Sequence, residues 1–251
     1  MMEAGKQAVK TELHFSRFEF KYVLALAQRR ELGYFMALDP HVSRQRRQKY
    51  FVRSLYFDAA AYTCYYEKTD GVMQRRKYRI RTYTDDRDED CAVFLEVKGR
   101  YNALVYKHRV ELPRSVIGSL EAGRGALTED IARLGGADNV ATGFLYDSLR
   151  MRLKPLMLID YERRPYVSKY APDFRVTFDD NLSSTVTDRL FNRPTDRKRV
   201  FLPGYCVVEV KFKRHIPAWF HRLTQSYELR RVSVSKYCRG MERMGLADNL
   251  E

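Results

Sequence analysis

The sequence predicts an α+β fold in which one antiparallel β-sheet carries flanking helices. Many short segments alternate apolar and charged side chains, which is the pattern of β-strands. Apolar residues at helical spacing occur between these segments and in the C-terminal tail. No long linker and no internal repeat divides the chain. Strands before and after the longest helical stretch are therefore expected to share one sheet.

Alternation of apolar and polar side chains locates the strands. They are predicted at residues 15–22, 52–57, 76–83, 93–98, 104–112, 155–161, 166–170, 174–179 and 205–213. The polar run 84–90 is predicted to form a hairpin loop, and residues 99–102 a turn before the next strand. Strands joined by such short connections pair antiparallel.

Helices are predicted where apolar residues recur at three- and four-residue spacing. These stretches are 23–38, 59–68, 114–150 and 217–244. Asp39-Pro40 stops the first helix, and Asp58 is predicted to cap the second. Glycine-rich turns interrupt the third stretch at 123–125 and 135–136, and the last stretch breaks near 231–235.

These elements predict one domain over residues 14–244. Residues 1–13 are polar and are expected to form a flexible N-terminal segment. The helical stretch 114–150 is expected to be an insert within the domain, since strands lie on both sides of it.

Charge and composition restrict the function. The chain has 251 residues, with 46 Lys and Arg against 32 Asp and Glu, which gives a net charge of +14. Such an excess indicates a polyanionic partner: nucleic acid, inorganic phosphate chains, acidic proteins or anionic lipid. No apolar run approaches the roughly 20 residues of a membrane helix, and the N-terminus lacks the apolar region of a signal peptide. A cytoplasmic location is expected.

The cysteines are predicted to be free thiols. They stand at positions 64, 91, 206 and 238, with no CxxC pair and no histidine at zinc-ligand spacing. We expect them to be mostly buried in a reducing compartment.

Six of the predicted strands place charged side chains on a single face, because side chains alternate across a strand with period two. The basic members of this face are Lys21, Lys77, Arg79, Arg81, Lys98, Lys107, Arg109, Arg175, Lys211 and Lys213. The acidic members are Glu19, Glu96, Glu111, Asp179 and Glu209. A solvated face of an antiparallel sheet is the structural alternative, and for a single strand it is the simpler one.

If the sheet closes, the charged face becomes a lumen. A lumen lined by unpaired cations is costly without counter-charge, so a polyanion is expected to fill it. Arginine offers planar forks to phosphate oxygens, and lysine acts as a point charge. The interspersed carboxylates can hold Mg²⁺ or Mn²⁺, which bridges phosphate oxygens.

The same strands carry a series of motifs in a fixed order. They are RFEFK (17–21), SLYFD (54–58), KYRIRTY (77–83), FLEVK (94–98), the Lys107/Arg109 pair, RVTFD (175–179), VEVK (208–211) and SKY (235–237). Together they resemble the VTC domain, the catalytic module of polyphosphate polymerases in the triphosphate tunnel metalloenzyme superfamily. The resemblance runs from about residue 14 to 244.

The resemblance implies an antiparallel β-tunnel with a C-terminal helix that closes it. It implies binding of tri- or polyphosphate with Mn²⁺ or Mg²⁺, and transfer of the γ-phosphoryl group of ATP to a growing polyphosphate chain. By motif, Lys21 contacts phosphate near the reaction centre, Glu209 binds the metal, and Lys236 closes the site.

The predicted site therefore combines the motif positions with the charged face. The expected catalytic residues are Lys21, Lys236 and Glu209. The expected phosphate ligands are Lys77, Arg79, Arg81, Lys98, Lys107, Arg109, Arg175, Lys211 and Lys213. The expected metal ligands are Glu209, Glu19 and Glu96.

One position of the opening motif differs from the pattern in CYTH proteins, a related branch of the superfamily. The CYTH proteins open with Glu-x-Glu-x-Lys, whereas Arg17 stands at the first position here and leaves only Glu19 and Lys21. That pattern resembles the VTC branch. The chain also lacks the phosphate-sensing SPX domain and the membrane spans that surround eukaryotic VTC modules, and a membrane-bound partner is compatible with this.

Several functions stay open at this point. A polyphosphate polymerase is the first hypothesis. A metal-dependent inorganic tripolyphosphatase would use the same cations and metal, and a non-catalytic polyphosphate-binding module needs only the cations. Nucleic-acid binding is disfavoured because no RNP-like strand, zinc finger or clear helix-turn-helix is present.

Overall fold

The computed structural model describes residues 18–38, 42–44, 49–101, 104–135, 138–168, 171 and 173–248. They form a ten-stranded sheet, in which every pairing is antiparallel, with seven helices around it. The strands are β1 (Phe18–Ala25), β2 (Val42–Arg44), β3 (Tyr50–Asp58), β4 (Gln74–Thr82), β5 (Val93–Tyr101), β6 (Leu104–Leu112), β7 (Lys154–Ser168), β8 (Arg175–Val186), β9 (Lys198–Val200) and β10 (Tyr205–Phe212). The helices are α1 (Leu26–Leu38), α2 (Thr63–Thr69), α3 (Val116–Ala122), α4 (Arg124–Gly135), α5 (Asn139–Met151), α6 (Ala218–Ser226) and α7 (Lys236–Met244).

Two helical layers cover one face of the sheet, here called the outer face. Helices α3–α5 pack on strands β3–β6, and Ile80, Leu95 and Phe144 are buried between them. Helices α1 and α6 pack on β1, β8 and β10, with Phe178 and Val208 in that core. The apolar strand residues of these cores, Ile80, Leu95, Phe178 and Val208, are the ones that alternation places opposite the charges. The charged residues of the same strands therefore project from the inner face.

The C-terminal helix α7 packs on the inner face. It buries Tyr237 and Met241 against Ile159 and Val207. Its close approach depends on Gly240, where an added Cβ would stand 2.5 Å from the Ile159 side chain. The Ser235 side chain caps the helix by accepting from the Cys238 N–H at 3.4 Å. Helix α7 thus fills part of the space that the curled sheet encloses.

The sheet curls into a tunnel without a continuous backbone ladder. Pairing among the described strands follows the order β1-β10-β8-β7-β3-β4-β5-β6, so β1 and β6 are its ends. Lys98 of β5 reaches Glu19 of β1, with Nζ 3.1 Å from Oε1. The N–H of Val232 donates to the Lys21 carbonyl at 2.9 Å, which places the segment before α7 along β1. The predicted tunnel with a C-terminal helix that closes it is confirmed, and side chains span its seam.

Several element boundaries predicted from the sequence are wrong. Val23 and Leu24, predicted as helix, belong to β1 because they pair with Val207 and Cys206 of β10. The segments 155–161 and 166–168 form one strand, β7, since the chain continues its pairing with β8 through Pro165.

Other elements are longer, shorter or new. Strand β8 continues to Val186, past the predicted end at 179, and α2 begins at Thr63 instead of 59. Strands β2 and β9 have only three residues each and were not predicted. The tail divides at 227–235, a wider break than predicted. Residues 15–17 and 169–170, and the N-terminal segment 1–13, lie outside the described residues.

Two local predictions are confirmed. Asp58 caps the start of the α2 region, because its Oδ1 accepts from the N–H groups of Ala59 at 2.7 Å and Cys64 at 2.8 Å. All four cysteines are free; Cys64, Cys206 and Cys238 are buried and Cys91 is half-buried. Three helices, α3–α5, occupy the predicted insert, while the domain limits 14 and 244 stay predictions. Among the described residues, no helix has the length and apolar character that crossing a membrane requires.

Candidate functional site in the tunnel

The inner face carries two clusters of ion pairs, each centred on buried carboxylates. The Glu96 cluster consists of Glu96, Arg79, Arg81, Lys107, Ser54 and Tyr56. The Glu209 cluster consists of Glu209, Asp179, Glu19, Lys21, Lys98, Arg163, Lys211 and Lys236. Tyr161 lies between them.

In the Glu96 cluster, three cations surround one carboxylate that is 1% exposed. Arg79 approaches Glu96 Oε2 with Nη2 at 2.6 Å, and Lys107 Nζ lies 2.6 Å from Oε1. Arg81 Nη1 is 3.5 Å from Oε2. Burial raises the pKa of Glu96, but the combined attraction of Arg79, Arg81 and Lys107 holds it well below its usual value. The carboxylate is therefore ionised and keeps the two arginines in place.

Neutral side chains orient the same arginines. Arg81 donates from Nε to Ser54 Oγ at 3.0 Å and from Nη2 to Tyr161 Oη at 3.3 Å. Arg79 donates from Nη1 to Tyr56 Oη at 2.8 Å. Burial raises the pKa of the Tyr56 phenol, yet Arg79 and Arg81 lower it overall. These contacts hold both guanidinium planes in fixed positions within the lumen.

The centre of the Glu209 cluster is a buried quartet. Lys236 Nζ lies 2.7 Å from Glu209 Oε1 and 2.6 Å from Asp179 Oδ2. Arg163 donates to Asp179 Oδ1 at 2.6 Å and to Glu209 Oε2 at 3.0 Å. Burial raises the pKa of Glu209, but Lys236 and Arg163 hold it well below its usual value. Helix α7 is thus fastened to the sheet by an ion pair inside the tunnel.

Glu19 and Glu209 approach each other across two shared lysines. Lys21 Nζ is 3.4 Å from Glu19 Oε1 and 3.9 Å from Glu209 Oε1. Lys211 Nζ is 3.7 Å from Glu19 Oε2 and 3.5 Å from Glu209 Oε2. The pKa of Lys98 is lower than its usual value, because burial and the neighbouring Lys21 and Lys211 lower it more than its partner Glu19 raises it. This is the part of the lumen where carboxylates and lysines are most intermixed.

Most of the predicted site residues meet in these two clusters. The residues brought together are Lys21, Lys236, Glu209, Glu19, Glu96, Arg79, Arg81, Lys98, Lys107 and Lys211. Arg175 is next to Lys211 in the β8–β10 register, and its buried Nε has no hydrogen-bond partner among the described residues. Lys77 contacts α7 instead, with Nζ 3.4 Å from Cys238 Sγ and 4.9 Å from the centre of the Tyr237 ring.

Two predicted phosphate ligands lie apart from the clusters. Lys213 follows the end of β10 and pairs with Asp173 at 3.2 Å, where both side chains are half-exposed. Arg109 is exposed on β6, and its guanidinium lies over the Phe94 ring, 4.6 Å from its centre. Arg109 is the partner of Glu96 in the β5–β6 register, but it forms no ion pair among the described residues.

Sequence reasoning missed several residues of the site. Tyr161 and Arg163 share a face of β7, but the predicted break in this strand hid their alternation. Tyr56 lies in SLYFD, two residues after Ser54, and the same period-two rule would have placed it in the lumen. Its ring stacks on Tyr237 with 5.0 Å between centres. Asp179 was assigned to the charged face but not to the site.

The lumen can hold a divalent metal only if phosphate oxygens of the substrate complete the coordination that the protein carboxylates begin. Among the residues that the structure describes, no group of three His, Cys, Asp or Glu side chains is arranged to hold a metal ion. Glu19 and Glu209 converge on the same two lysines, and Mg²⁺ commonly uses one or two carboxylates together with phosphate oxygens and water. Glu96 lies in the other cluster, where both of its oxygens contact cations.

Comparison with known proteins agrees with this geometry. The chain matches the VTC domain family over residues 16–245. A search of curated proteins gives no match.

Solved structures match this chain at low identity. HpAC1 from Hippeastrum, described as having a dominant triphosphatase activity, is 13% identical with a TM-score of 0.50, and the match covers 91% of this chain and 96% of that one. A Pyrococcus horikoshii OT3 protein is 13% identical with a TM-score of 0.42, covering 92% and 98% of the two chains. The Mimivirus capping enzyme triphosphatase is 9% identical with a TM-score of 0.37, covering 86% and 89%.

Proposed function

Because this chain belongs to the VTC domain family, we propose that it transfers the γ-phosphoryl group of ATP to a polyphosphate chain inside the tunnel. The observation that carries the proposal is the family match over nearly all of the described residues, together with a lumen in which cations outnumber carboxylates in both clusters. The proposed partners are ATP and inorganic polyphosphate.

The cations of the Glu96 cluster suit the binding of phosphate oxygens. Arg79 and Arg81 are held by Tyr56, Ser54 and Tyr161, so little side-chain entropy is lost when phosphate binds. Glu96 neutralises only part of their charge. We assign Glu96 to the positioning of these arginines in preference to metal binding.

The proposed reaction needs no strong base. The terminal oxygen of a polyphosphate chain is already anionic, so it can attack the γ-phosphorus directly. A new P–O bond forms at this oxygen, the bond between the γ-phosphorus and the β–γ bridging oxygen breaks, and ADP leaves with the electron pair. The protein contributes alignment and charge neutralisation, which are the main terms in phosphoryl transfer. Lys21 and Lys236 are the proposed contacts to the transferred group.

Glu209 and Glu19 are the proposed holders of Mn²⁺ or Mg²⁺. A bound divalent ion supplies neutralisation of charge on the phosphate oxygens. Lys21 and Lys211 contact both carboxylates in the ligand-free tunnel, and incoming phosphate would attract these two lysines toward itself.

Hydrolysis of triphosphate is the second candidate, and one observation favours it. Water must lose a proton when it attacks, and the depressed pKa values of Glu19, Glu96 and Glu209 make them weak bases. Burial, with the nearby Arg79 and Arg81, lowers the pKa of Lys107 to about 7 even though Glu96 raises it. Lys107 Nζ lies 2.6 Å from Glu96 Oε1 and its side chain is 43% exposed, so water reaches it; we propose it as the group that would accept this proton.

A product assay separates the candidates. Purified protein is incubated with ATP and Mn²⁺ or Mg²⁺, and ADP, free phosphate and polyphosphate on a gel are measured. Polyphosphate chains formed in step with ADP are the expected result. Free phosphate without chains would overturn the polymerase in favour of the hydrolase. Binding of polyphosphate without turnover under both metals would leave only a binding module.

A pair of variants locates the activity. Glu209→Gln is expected to lower the rate about 100-fold or more, because a lost electrostatic contact at a reaction centre typically costs that much. Asp173→Asn, which removes the half-exposed partner of Lys213, is the control and should keep the wild-type rate. Equal rates for both variants would place the chemistry outside the Glu209 cluster.

A further inference from the structure

A second basic cavity lies on the outer side of the sheet. Its volume is about 420 Å³, which is within the usual range for small-molecule sites. Arginines from three parts of the chain line it: Arg53 of β3, Arg87 of the β4–β5 connection, and Arg189 and Arg193 of the β8–β9 connection. We call this cavity the arginine pocket.

The sheet separates the arginine pocket from the tunnel. Arg53 is 5% exposed and forms a two-pronged ion pair with Asp160, at 3.0 and 2.8 Å. The next residue, Ser54, points the opposite way and accepts a hydrogen bond from Arg81 in the lumen. A ligand in the arginine pocket therefore has no direct contact with the residues of the proposed reaction.

Part of the hydrogen-bonding capacity in the pocket is unused. The Nε of Arg189 and the Oδ1 of Asn192 are buried, and neither has a hydrogen-bond partner among the described residues. Arg189 Nη1 stands 3.8 Å from Glu121 Oε1, beyond hydrogen-bond distance. The guanidinium of Arg193 forms no ion pair within the part of the chain that the structure describes. Buried donors and acceptors without partners are uncommon and indicate a place for a polar ligand.

Two acidic side chains also border the pocket. Glu121 binds Arg87 through both oxygens, at 2.8 and 3.0 Å. Asp85 is exposed, and its carbonyl accepts from Arg53 at 3.4 Å. Arg87 and Arg53 thus have counter-ions within hydrogen-bond distance. Arg189 has only the longer ion pair with Glu121, and Arg193 is exposed with no ion pair among the described residues, so both are free to turn toward an external anion.

We propose that the arginine pocket binds a small diphosphate anion through Arg189 and Arg193. Guanidinium groups form paired hydrogen bonds to phosphate oxygens, and two available guanidinium groups match two phosphoryl groups. The diphosphate comes from inorganic pyrophosphate or from a nucleoside diphosphate such as ADP. This site is independent of the function proposed for the tunnel.

Calorimetric titration with pyrophosphate, and separately with ADP, tests the proposal. The wild-type protein is expected to bind pyrophosphate at two sites, one in the tunnel and one in the pocket. Arg189→Gln combined with Arg193→Gln should weaken the pocket site by about 10-fold or more, since charged hydrogen bonds are lost. Arg175→Gln should weaken the tunnel site alone. Tighter binding of ADP than of pyrophosphate at the pocket would identify the nucleotide as the source of the diphosphate, and the reverse order would identify the inorganic anion.

A variant that is expected to strengthen diphosphate binding provides a second test. Glu121→Gln removes a negative charge beside Arg189, so it should strengthen diphosphate binding about threefold or more. Glu129→Gln, which also removes one negative charge but lies on an exposed part of α4 outside the pocket, is the charge-matched control and should change neither site. Hydrogen exchange should slow in residues 187–197 when pyrophosphate binds. A single site that only Arg175→Gln weakens, or weaker binding in Glu121→Gln, would overturn the proposal.

Discussion

The two ion-pair clusters of the tunnel are built in different ways. The Glu96 cluster takes its charged residues from three consecutive strands, where Arg79 and Glu96 face each other in the β4–β5 register. The Glu209 cluster joins β1, β5, β7, β8, β10 and α7, which are distant in sequence. The Glu96 cluster therefore follows from local pairing, whereas the Glu209 cluster exists only after the sheet has curled and α7 has docked.

Exposure also differs between the clusters. The side chains of the Asp179–Lys236 pair are 0% and 8% exposed, whereas the Lys107 side chain is 43% exposed. Lys107 can turn toward water if it loses Glu96, whereas neither cation of the buried quartet can. The comparison indicates that the Glu209 cluster contributes more to stability, and that the Glu96 cluster can exchange its carboxylate for a ligand more easily.

Removal of one carboxylate from each cluster tests this difference most strongly. Asp179→Asn should lower the free energy of unfolding by about 3–5 kcal/mol, because Arg163 and Lys236 lose a buried partner. Glu96→Gln should cost less, about 1–3 kcal/mol, because Lys107 can reach solvent. Urea unfolding measures both. An equal or larger loss for Glu96→Gln would contradict the comparison.

Displacement of helix α7 from the sheet should have the next largest effect on the free energy of unfolding. Gly240→Ala should cost about 1–3 kcal/mol, because the added methyl group overlaps Ile159 and Met157 and moves α7 from the sheet. The rate of the proposed reaction should fall together with stability, because Lys236, a proposed contact to the transferred group, is the first residue of α7. Gly118→Ala in α3 has open space around the new methyl group and is the control, expected to be neutral or stabilising. Loss of stability in both variants alike would show that close packing at Gly240 is not the cause.

Acid should weaken both clusters. The folded-state pKa values of Glu19, Glu96 and Glu209 lie below the usual 4.5, so these carboxylates stabilise the protein above about pH 4.5. That stability is lost as the pH falls from 4.5 toward the folded-state values, because the unfolded chain binds protons first. The loss is at most about 1.4 kcal/mol per pH unit for each carboxylate. Unfolding of Glu96→Gln between pH 5 and 3 should show a shallower slope than the wild type. Identical slopes would mean that Glu96 does not contribute.

The smallest expected change in the free energy of unfolding comes from the titration of Lys107. Its folded-state pKa of about 7 is below the usual 10.5, so the free energy of unfolding should rise between pH 7 and 10.5 as the folded protein loses this proton first. The rise should stay below about 1 kcal/mol, because solvent screens a side chain with this exposure. Urea titrations of the wild type and Lys107→Gln at pH 7, 8.5 and 10 measure it. A rise of equal size in Lys107→Gln would assign the titration to another group.

Part of the candidate site was predictable because strand alternation is a local property. The positions of Arg79, Arg81 and Lys98 on one face, opposite Ile80 and Val97, follow from period-two geometry alone. The prediction failed where tertiary pairing extended a strand. The break predicted in β7 removed Arg163, and the helix predicted from residue 23 shortened β1.

The sequence by itself determined how side chains are sorted between the two faces of the sheet, together with the local cap at Asp58. Covalent geometry sets both, since side chains alternate along a strand and capping side chains reach only a few residues along the chain. The tertiary structure alone decided that Glu19 meets Lys98 and that Lys236 meets Glu209 and Asp179. Such contacts depend on the curl of the sheet and the docking of α7, which are set by packing between residues far apart in the chain.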